Sequence, residues 1–153
     1  MKKVALIIAL AALLALALVA CGNGGNSNKV TVHCSVSFEV DGVYILDGYE
    51  YDAVGTADAA PSVLKAAEDA LMVNDIGYEL DSNGKAFAMV ADIDGTEYRT
   101  GTDATGENVC AWVFTVNGEE PKARAGDTVL NANDVIVFSF FKTPTGASQG
   151  AEE

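Results

Sequence analysis

The sequence predicts an α+β domain in which a mixed β-sheet packs on one helix. Residues 30–39 and 109–116 alternate between apolar and polar side chains, which is typical of half-buried strands. Residues 61–77 change to a helical period, and strand-like runs return afterwards. One helix and one sheet can each bury a single face against the other, so these patterns together favour a two-layer domain.

The first two strands are predicted to form a hairpin. In residues 30–39 the apolar side chains share one face, and His33 falls on the polar face, where we expect it to be solvated. Asp41-Gly42 predicts a turn, and residues 43–54 then read as the return strand.

The helix is predicted from a stripe of apolar side chains on one face. Pro61 suits the first helical turn and Gly77 a stop, which gives a helix of about 12–14 residues. Lys65, Glu68 and Asp69 should lie largely outside the buried stripe. The stripe consists of Val63, Ala67, Ala70, Leu71 and Asn74, with Leu64 beside it.

Short strands and turns are predicted to follow the helix. Asn83-Gly84 and Asp94-Gly95 mark turns, and 100–109 reads as a polar loop. The strand over 109–116 ends at the Asn117-Gly118 turn. Residues 135–141 are apolar on both faces, which predicts a central, buried strand. A hairpin, a helix and then several strands is the order of a β-grasp-like domain.

The N-terminus predicts an exported, lipid-anchored protein. Lys2 and Lys3 precede the apolar run Val4–Ala20, which fits a cleaved signal peptide over 1–20. The end of this run, Leu18-Val19-Ala20-Cys21, resembles the lipobox of bacterial lipoproteins, which implies lipidation of Cys21 and an extracytoplasmic location on the membrane. An ordinary secreted protein cleaved nearby is the alternative.

The predicted domain is bounded by segments poor in apolar residues. Residues 21–28 contain the lipidated cysteine and a flexible tether, and 143–153 form a disordered tail, which leaves the domain over 29–142. The formal net charge of −13 would fall to −15 on loss of Lys2 and Lys3. So acidic a surface repels phosphate backbones, which argues against a nucleic-acid partner.

Two cysteines remain once Cys21 is assigned to the anchor. Cys34 and Cys110 lie in different predicted strands, so an exported protein could join them by a disulfide. Two buried thiols are the alternative. With only His33 beside them, these residues are too few for a usual zinc site.

Several segments resemble a bacterial family of unknown function, DUF4430, which is itself similar to the C-terminal domain of transcobalamin and intrinsic factor. The segments are "SVLKAAEDA", "MVADIDG", "WVFTVNGEEPKARAGDTVL" and "NANDVIVFSF", and the resemblance covers roughly residues 30–142. It implies a β-grasp-like fold and ligand binding rather than chemistry, with cobalamin as a candidate ligand. Any corrin site would be half a site or shared with a partner, because the chain has no room for the carriers' large helical domain.

No catalytic residue, cofactor or metal site is predicted. Nucleophile and phosphate-loop motifs are absent from the sequence. Asp92, Asp94 and Glu97 carry oxygen ligands suited to calcium, but their spacing misses the twelve-residue calcium loop.

Two functions of different class remain. In a ligand-binding module, Trp112, Phe114, Tyr78 and Phe87 would form the walls of the site. In an adhesive module, the loop 100–109 and the hairpin 117–122 would face a surface protein or glycan. The position of Trp112 does not separate the two functions. Its place on the strand is typical of a side chain packed in the core, and equally of a ring at the edge of the sheet with one side exposed to a partner.

Overall fold

The computed structural model describes residues 29–56 and 58–145. The predicted signal peptide, the lipidation site Cys21 with its tether, and residues 146–153 of the predicted tail lie outside the described residues. The first residues of the tail predicted over 143–153 are ordered, because Thr143 and Pro144 continue the last strand and the Thr145 N–H donates to the Glu107 carbonyl at 2.8 Å. Within the described ranges, no helix is long and apolar enough to cross a membrane.

Within the described residues, the predicted mixed sheet with one α-helix is confirmed. The elements are β1 Lys29–Val40, β2 Val43–Thr56, α1 Val63–Val73, β3 Tyr78–Leu80, β4 Phe87–Ala91, β5 Glu97–Arg99, β6 Gly101–Thr102, β7 Asn108–Val116 and β8 Asp134–Pro144. A five-stranded sheet has the order β2-β1-β8-β7-β6, and a smaller one has the order β3-β4-β5. Strands β1 and β8 are parallel, whereas the other pairs are antiparallel.

Helix α1 is slightly shorter than predicted because capping side chains fix both of its ends. The Ser62 hydroxyl accepts a hydrogen bond from the Lys65 N–H at 3.2 Å, so Pro61 precedes the cap. At the other end, the Asn74 side-chain amide donates to the Ala70 carbonyl at 2.8 Å. Asp69 is buried, contrary to the prediction, and two partners compensate the burial of its carboxylate: the Tyr51 hydroxyl donates to it at 3.0 Å, and the Lys65 ammonium group forms an ion pair with it.

The core lies between the five-stranded sheet and a second layer formed by α1 and the small sheet. Its centre is the fully buried Phe38 on β1. Phe38 stacks on Phe138 with ring centroids 4.9 Å apart, and it contacts Phe87 and Trp112 edge-to-face at 5.5 and 5.9 Å. Because these rings come from both sheets, the cluster fixes how the two layers meet.

The opposite, outer face of the five-stranded sheet is exposed. Strand β8 is central as predicted, but its burial on both faces is wrong, since Val135 and Phe141 are about half exposed. His33 also lies on this face, where its Nδ1 is 2.8 Å from Asp52 and its Nε2 is 2.9 Å from Glu50. The hydrogen bond to Asp52 is the main reason that the pKa of His33 is raised.

The two cysteines of the domain are free thiols, so the disulfide hypothesis is wrong and the buried-thiol alternative holds. Cys34 pairs with Asp134 on β8, whereas Cys110 pairs with Lys142. Eight residues along a strand correspond to about 26 Å, far beyond the Cα separation that a disulfide bridges. Burial raises the pKa of the Cys34 thiol to about 11, helped by the nearby carboxylate of Asp134.

These burials predict thiols that do not react in the folded protein. In a Cys21→Ser chain at about pH 8, we expect an aromatic disulfide reagent to label neither remaining cysteine, because both side chains are buried and out of its reach. Addition of denaturant should expose both Cys34 and Cys110. Rapid labelling of either cysteine under native conditions would contradict the described packing.

Candidate ligand-binding site

Three of the four predicted site aromatics meet at one cavity, which we call the β7 cavity. It has a volume of about 220 Å³ and is open to solvent. Phe87, Trp112 and Phe114 line it, together with Phe138 from β8. The other lining residues are Ala86, Val113 and the segment from Glu120 to Ala125.

Trp112 is both a part of the core and a wall of the cavity, the two positions considered for it from the sequence. Its ring packs on Phe38 and on Phe140, the latter with centroids 5.2 Å apart, and so forms part of the core. The indole Nε1–H donates to the Tyr98 carbonyl at 2.9 Å, which fixes the ring orientation. The residue remains only partly buried, and it also lines the β7 cavity.

Tyr78 does not line the cavity. Its ring meets Phe87 edge-to-face at a centroid distance of 5.7 Å, and its hydroxyl donates to Glu68 on α1 at 3.1 Å. The side chain therefore supports Phe87 from behind and ties β3 to the helix.

A free strand edge forms one wall of the β7 cavity. Asn117 donates its N–H to Val135 on β8, whereas Val116 exchanges two backbone hydrogen bonds with Glu119 on the opposite side. Because hydrogen-bonding direction alternates along an antiparallel strand, the backbone groups of Trp112 and Phe114 also point away from β8. Within the described ranges β6 pairs with β7 only at 109–110, so the edge beside Trp112 and Phe114 has no partner strand.

The segment 119–125, which we call the strap, forms the facing wall. Two backbone hydrogen bonds between Val116 and Glu119 (2.8 and 3.1 Å) anchor its start. Directly after its end, the Gly126 N–H donates to the Lys85 carbonyl at 3.0 Å and anchors the other side. A Cβ on Gly126 would come within 3.1 Å of the Lys85 Cα, so glycine permits this close approach. Between these two anchors the strap lies apart from β7, which leaves room for the cavity.

The strap places positive charge at the cavity in an otherwise acidic protein. Lys122 and Arg124 both line the cavity. Arg124 Nη1 lies 3.1 Å from Asp81 Oδ2, whereas Lys122 has no ion pair among the described residues. Glu120 supplies one opposing charge. The sequence pattern predicts only an exposed acidic hairpin over 117–122, because no periodicity marks the strap.

The loop 100–109, considered above as an adhesive surface, is organised around one carboxylate. Asp103 accepts hydrogen bonds from the Thr105 hydroxyl, from the Glu107 and Asn108 backbone N–H groups and from the Asn108 side-chain amide. The Asn108 side chain is the main reason that the pKa of Asp103 falls to about 2. The loop is a closed turn away from the β7 cavity.

The acidic turn that could suit calcium has a structural explanation. Asp92 accepts hydrogen bonds from the Asp94 and Thr96 N–H groups and from the Tyr98 hydroxyl. Among the described residues, no group of three histidine, cysteine or carboxylate side chains is placed to hold a metal ion.

This geometry defines the class of protein: a small α+β domain with an aromatic cavity beside a free strand edge. The family model described as "Domain of unknown function (DUF4430)" matches residues 60–142, more than half of the sequence. The chain therefore belongs to the DUF4430 family, as the motifs predicted. The match leaves out β1 and β2, although β1 pairs with β8 in the same sheet.

Two solved structures resemble this chain, one from a much longer protein and one from a protein of similar length. The chain is similar to haptocorrin in a crystal structure with Cbi, with 16% identity, a TM-score of 0.48 and coverage of 81% of this chain. It spans 28% of the haptocorrin chain. It is also similar to a candidate metal-binding protein from Ruminococcus gnavus ATCC 29149, with 18% identity, a TM-score of 0.41 and coverage of 73% of this chain and 98% of the other. No curated protein matches the sequence.

Proposed function

We propose that this chain is a non-catalytic binding protein whose β7 cavity takes a planar ring of a small ligand. The observation that carries the proposal is the convergence of Phe87, Trp112 and Phe114 on one open cavity. Apolar, aromatic walls with a few convergent polar groups are typical of small-molecule sites.

The walls specify the chemistry of the ligand. The aromatic floor suits a flat ring, and the free N–H and C=O groups of Trp112 and Phe114 suit a ring with hydrogen-bonding atoms at its edge. Lys122 on the strap has no ion pair among the described residues, so it favours an acidic substituent near the mouth. We infer a planar heterocycle that carries a carboxylate or a similar anion.

The size of the cavity limits how much of a ligand it can enclose. Its volume of about 220 Å³ is below the range of roughly 300–1,000 Å³ that is usual for drug-sized ligands. A corrin macrocycle is too large to enter, so a corrinoid would place only one edge in the cavity. The remainder would lie outside and would need a second protein to cover it.

The proposal assigns no catalytic role to the chain. The single histidine, His33, lies on the outer face of the sheet between Glu50 and Asp52, away from the cavity. We also propose that Cys21 carries a lipid that holds the domain at the outer side of a membrane, which the lipobox-like sequence supports. Incorporation of a labelled fatty acid that is lost in a Cys21→Ser chain would support the anchor, and failure of the unaltered chain to incorporate the label would count against it.

Equilibrium dialysis of the full-length chain tests the binding proposal. The probes are indole-3-acetate, as a planar ring with a carboxylate, and cobinamide, as a corrinoid. Binding of indole-3-acetate should be saturable, with one site per chain. Failure of both probes to bind at millimolar concentration would contradict the proposal.

Two matched alanine variants locate the binding. Ala123 and Ala104 are both exposed loop residues, but only Ala123 lines the cavity. We expect Ala123→Leu to weaken binding by about tenfold or more, because the larger side chain occupies cavity volume. Ala104→Leu should leave the affinity within about twofold. Equal effects of the two substitutions would place the ligand elsewhere.

A further inference from the structure

A second concave surface lies where the tips of two hairpins stand next to each other, and Tyr98 is part of its lining. One tip belongs to the turn between β1 and β2, and the other to the turn between β4 and β5. They enclose an open cleft of about 550 Å³, which we call the tip cleft. Its lining residues are Val40, Asp41, Val43, Tyr44, Ile45, Asp92, Ile93, Asp94, Tyr98 and Lys142.

The tips expose large apolar side chains that the fold does not use. Ile93 is 89% exposed, Val43 is 70% exposed and Tyr44 is 50% exposed. Tight turns normally carry polar side chains, so three large apolar residues around one cleft mark it as a contact surface. Val40, Ile45 and Tyr98 form an apolar back wall.

The backbone conformation of both tips is fixed by local turn geometry and hydrogen bonds. Asp41 and Gly42 adopt positive φ values of 51° and 76°, as a two-residue hairpin turn requires. The other tip is fixed by Asp92, whose carboxylate accepts hydrogen bonds from the Asp94 and Thr96 N–H groups and from the Tyr98 hydroxyl. A partner would therefore meet a pre-organised surface, which lowers the entropic cost of binding.

The charge of the cleft selects the kind of partner. Its lining contains three carboxylates, on Asp41, Asp92 and Asp94, against the single ammonium group of Lys142. Among the described residues, neither Asp41 nor Asp94 has a cation within 4 Å. The whole chain has a net charge of −13, which adds long-range attraction for a cationic segment.

We propose that the tip cleft docks a partner protein through a segment in which a lysine or arginine is flanked by large apolar side chains. The basic side chain enters the cleft between Asp41 and Asp94, and the flanking apolar side chains cover Val43, Tyr44 and Ile93. This surface is separate from the β7 cavity and does not depend on a ligand there.

Selection of peptides from a display library tests this proposal. Random twelve-residue peptides are selected on the full-length chain alone. The enriched peptides are then measured against a Val43→Ser/Ile93→Ser double variant, the tip variant. A Val109→Ser/Val135→Ser double variant is the matched control, since it removes two exposed valines from the outer sheet face. Thermal unfolding confirms that both double variants remain folded.

The proposal predicts that enriched peptides carry a basic residue between apolar residues. Their affinity for the tip variant should be about tenfold or more lower than for the unaltered chain. Their affinity for the Val109→Ser/Val135→Ser outer-face variant should change by less than about twofold. Added salt should weaken binding to the unaltered chain, because it screens the attraction between the basic residue and the carboxylates. Absence of enrichment, equal binding to the tip variant, or enriched peptides without basic residues would overturn it. Self-association that the tip variant abolishes would also overturn it, by making the occupant a second copy of this chain.

Discussion

Replacement of Phe38 by alanine is expected to lower the free energy of unfolding by about 3–5 kcal/mol. The side chain is fully buried, and its ring contacts Phe87, Trp112 and Phe138 at centroid distances between 4.9 and 5.9 Å. Removal of the ring leaves a cavity among residues of both sheets, which can collapse only in part. Urea unfolding followed by circular dichroism measures the effect.

Phe141 provides the matched control for this substitution. It is also a phenylalanine on a strand of the large sheet, but it lies on the outer face and is 55% exposed. Phe141→Ala should therefore cost about 1 kcal/mol or less. If Phe38→Ala leaves too little folded protein, the milder Phe38→Leu should still be more destabilising than Phe141→Ala. The reverse order would contradict the assignment of core and outer faces.

Replacement of Asp134 by alanine is expected to lower the free energy of unfolding by about 1–3 kcal/mol, because it removes the charged acceptor of two hydrogen bonds. Asp134 is buried, and its two carboxylate oxygens accept hydrogen bonds from the Asn117 side-chain amide and the Asn131 N–H, both at 2.8 Å. These bonds fix the start of β8 and the end of β7. The substitution should therefore loosen the turn from which the strap begins.

Asp47 is the control for Asp134, because it is an exposed aspartate on β2. Asp47→Ala should change the free energy of unfolding by less than about 0.5 kcal/mol. Chemical denaturation near neutral pH compares the two variants. A cost for Asp134→Ala no larger than that for Asp47→Ala would show that the hydrogen bonds around Asp134 add nothing to stability.

The elements that sequence analysis predicted well are those set by local patterns. The alternation in residues 30–39 and the turn at Asp41-Gly42 predict the first hairpin, because strand period and turn chemistry are local properties. The helix was also predicted, but the burial of Asp69 was not. That burial depends on Tyr51, which lies 18 positions earlier in the chain.

Features that depend on strand register could not be predicted. Cys34 and Cys110 both lie on strands, yet they are separated because they pair with distant positions of β8. The same is true of β8 itself, whose apolar residues on both faces suggested burial although Val135 and Phe141 are exposed. Composition alone does not tell a covered sheet face from an exposed one.

Of the candidate site, only three of the aromatic side chains that line the cavity were predicted. Trp112 and Phe114 share a face by strand alternation, whereas Phe87 joins them through contacts between the two sheets. The strap has no periodicity, so nothing in its residue pattern indicates that Lys122 and Arg124 line the same cavity. Tyr78 seemed equivalent to the other aromatics, but it packs behind Phe87.

The most direct test of the central claim is to map ligand contacts on the full-length chain by nuclear magnetic resonance during titration with indole-3-acetate. We expect saturable shifts of the backbone N–H signals of Trp112 and Phe114, which point to the cavity, together with those of Lys122 on the strap. Signals of the outer face, such as Val135, should not move. Absence of saturable shifts, or shifts confined to residues outside the β7 cavity, would contradict the claim.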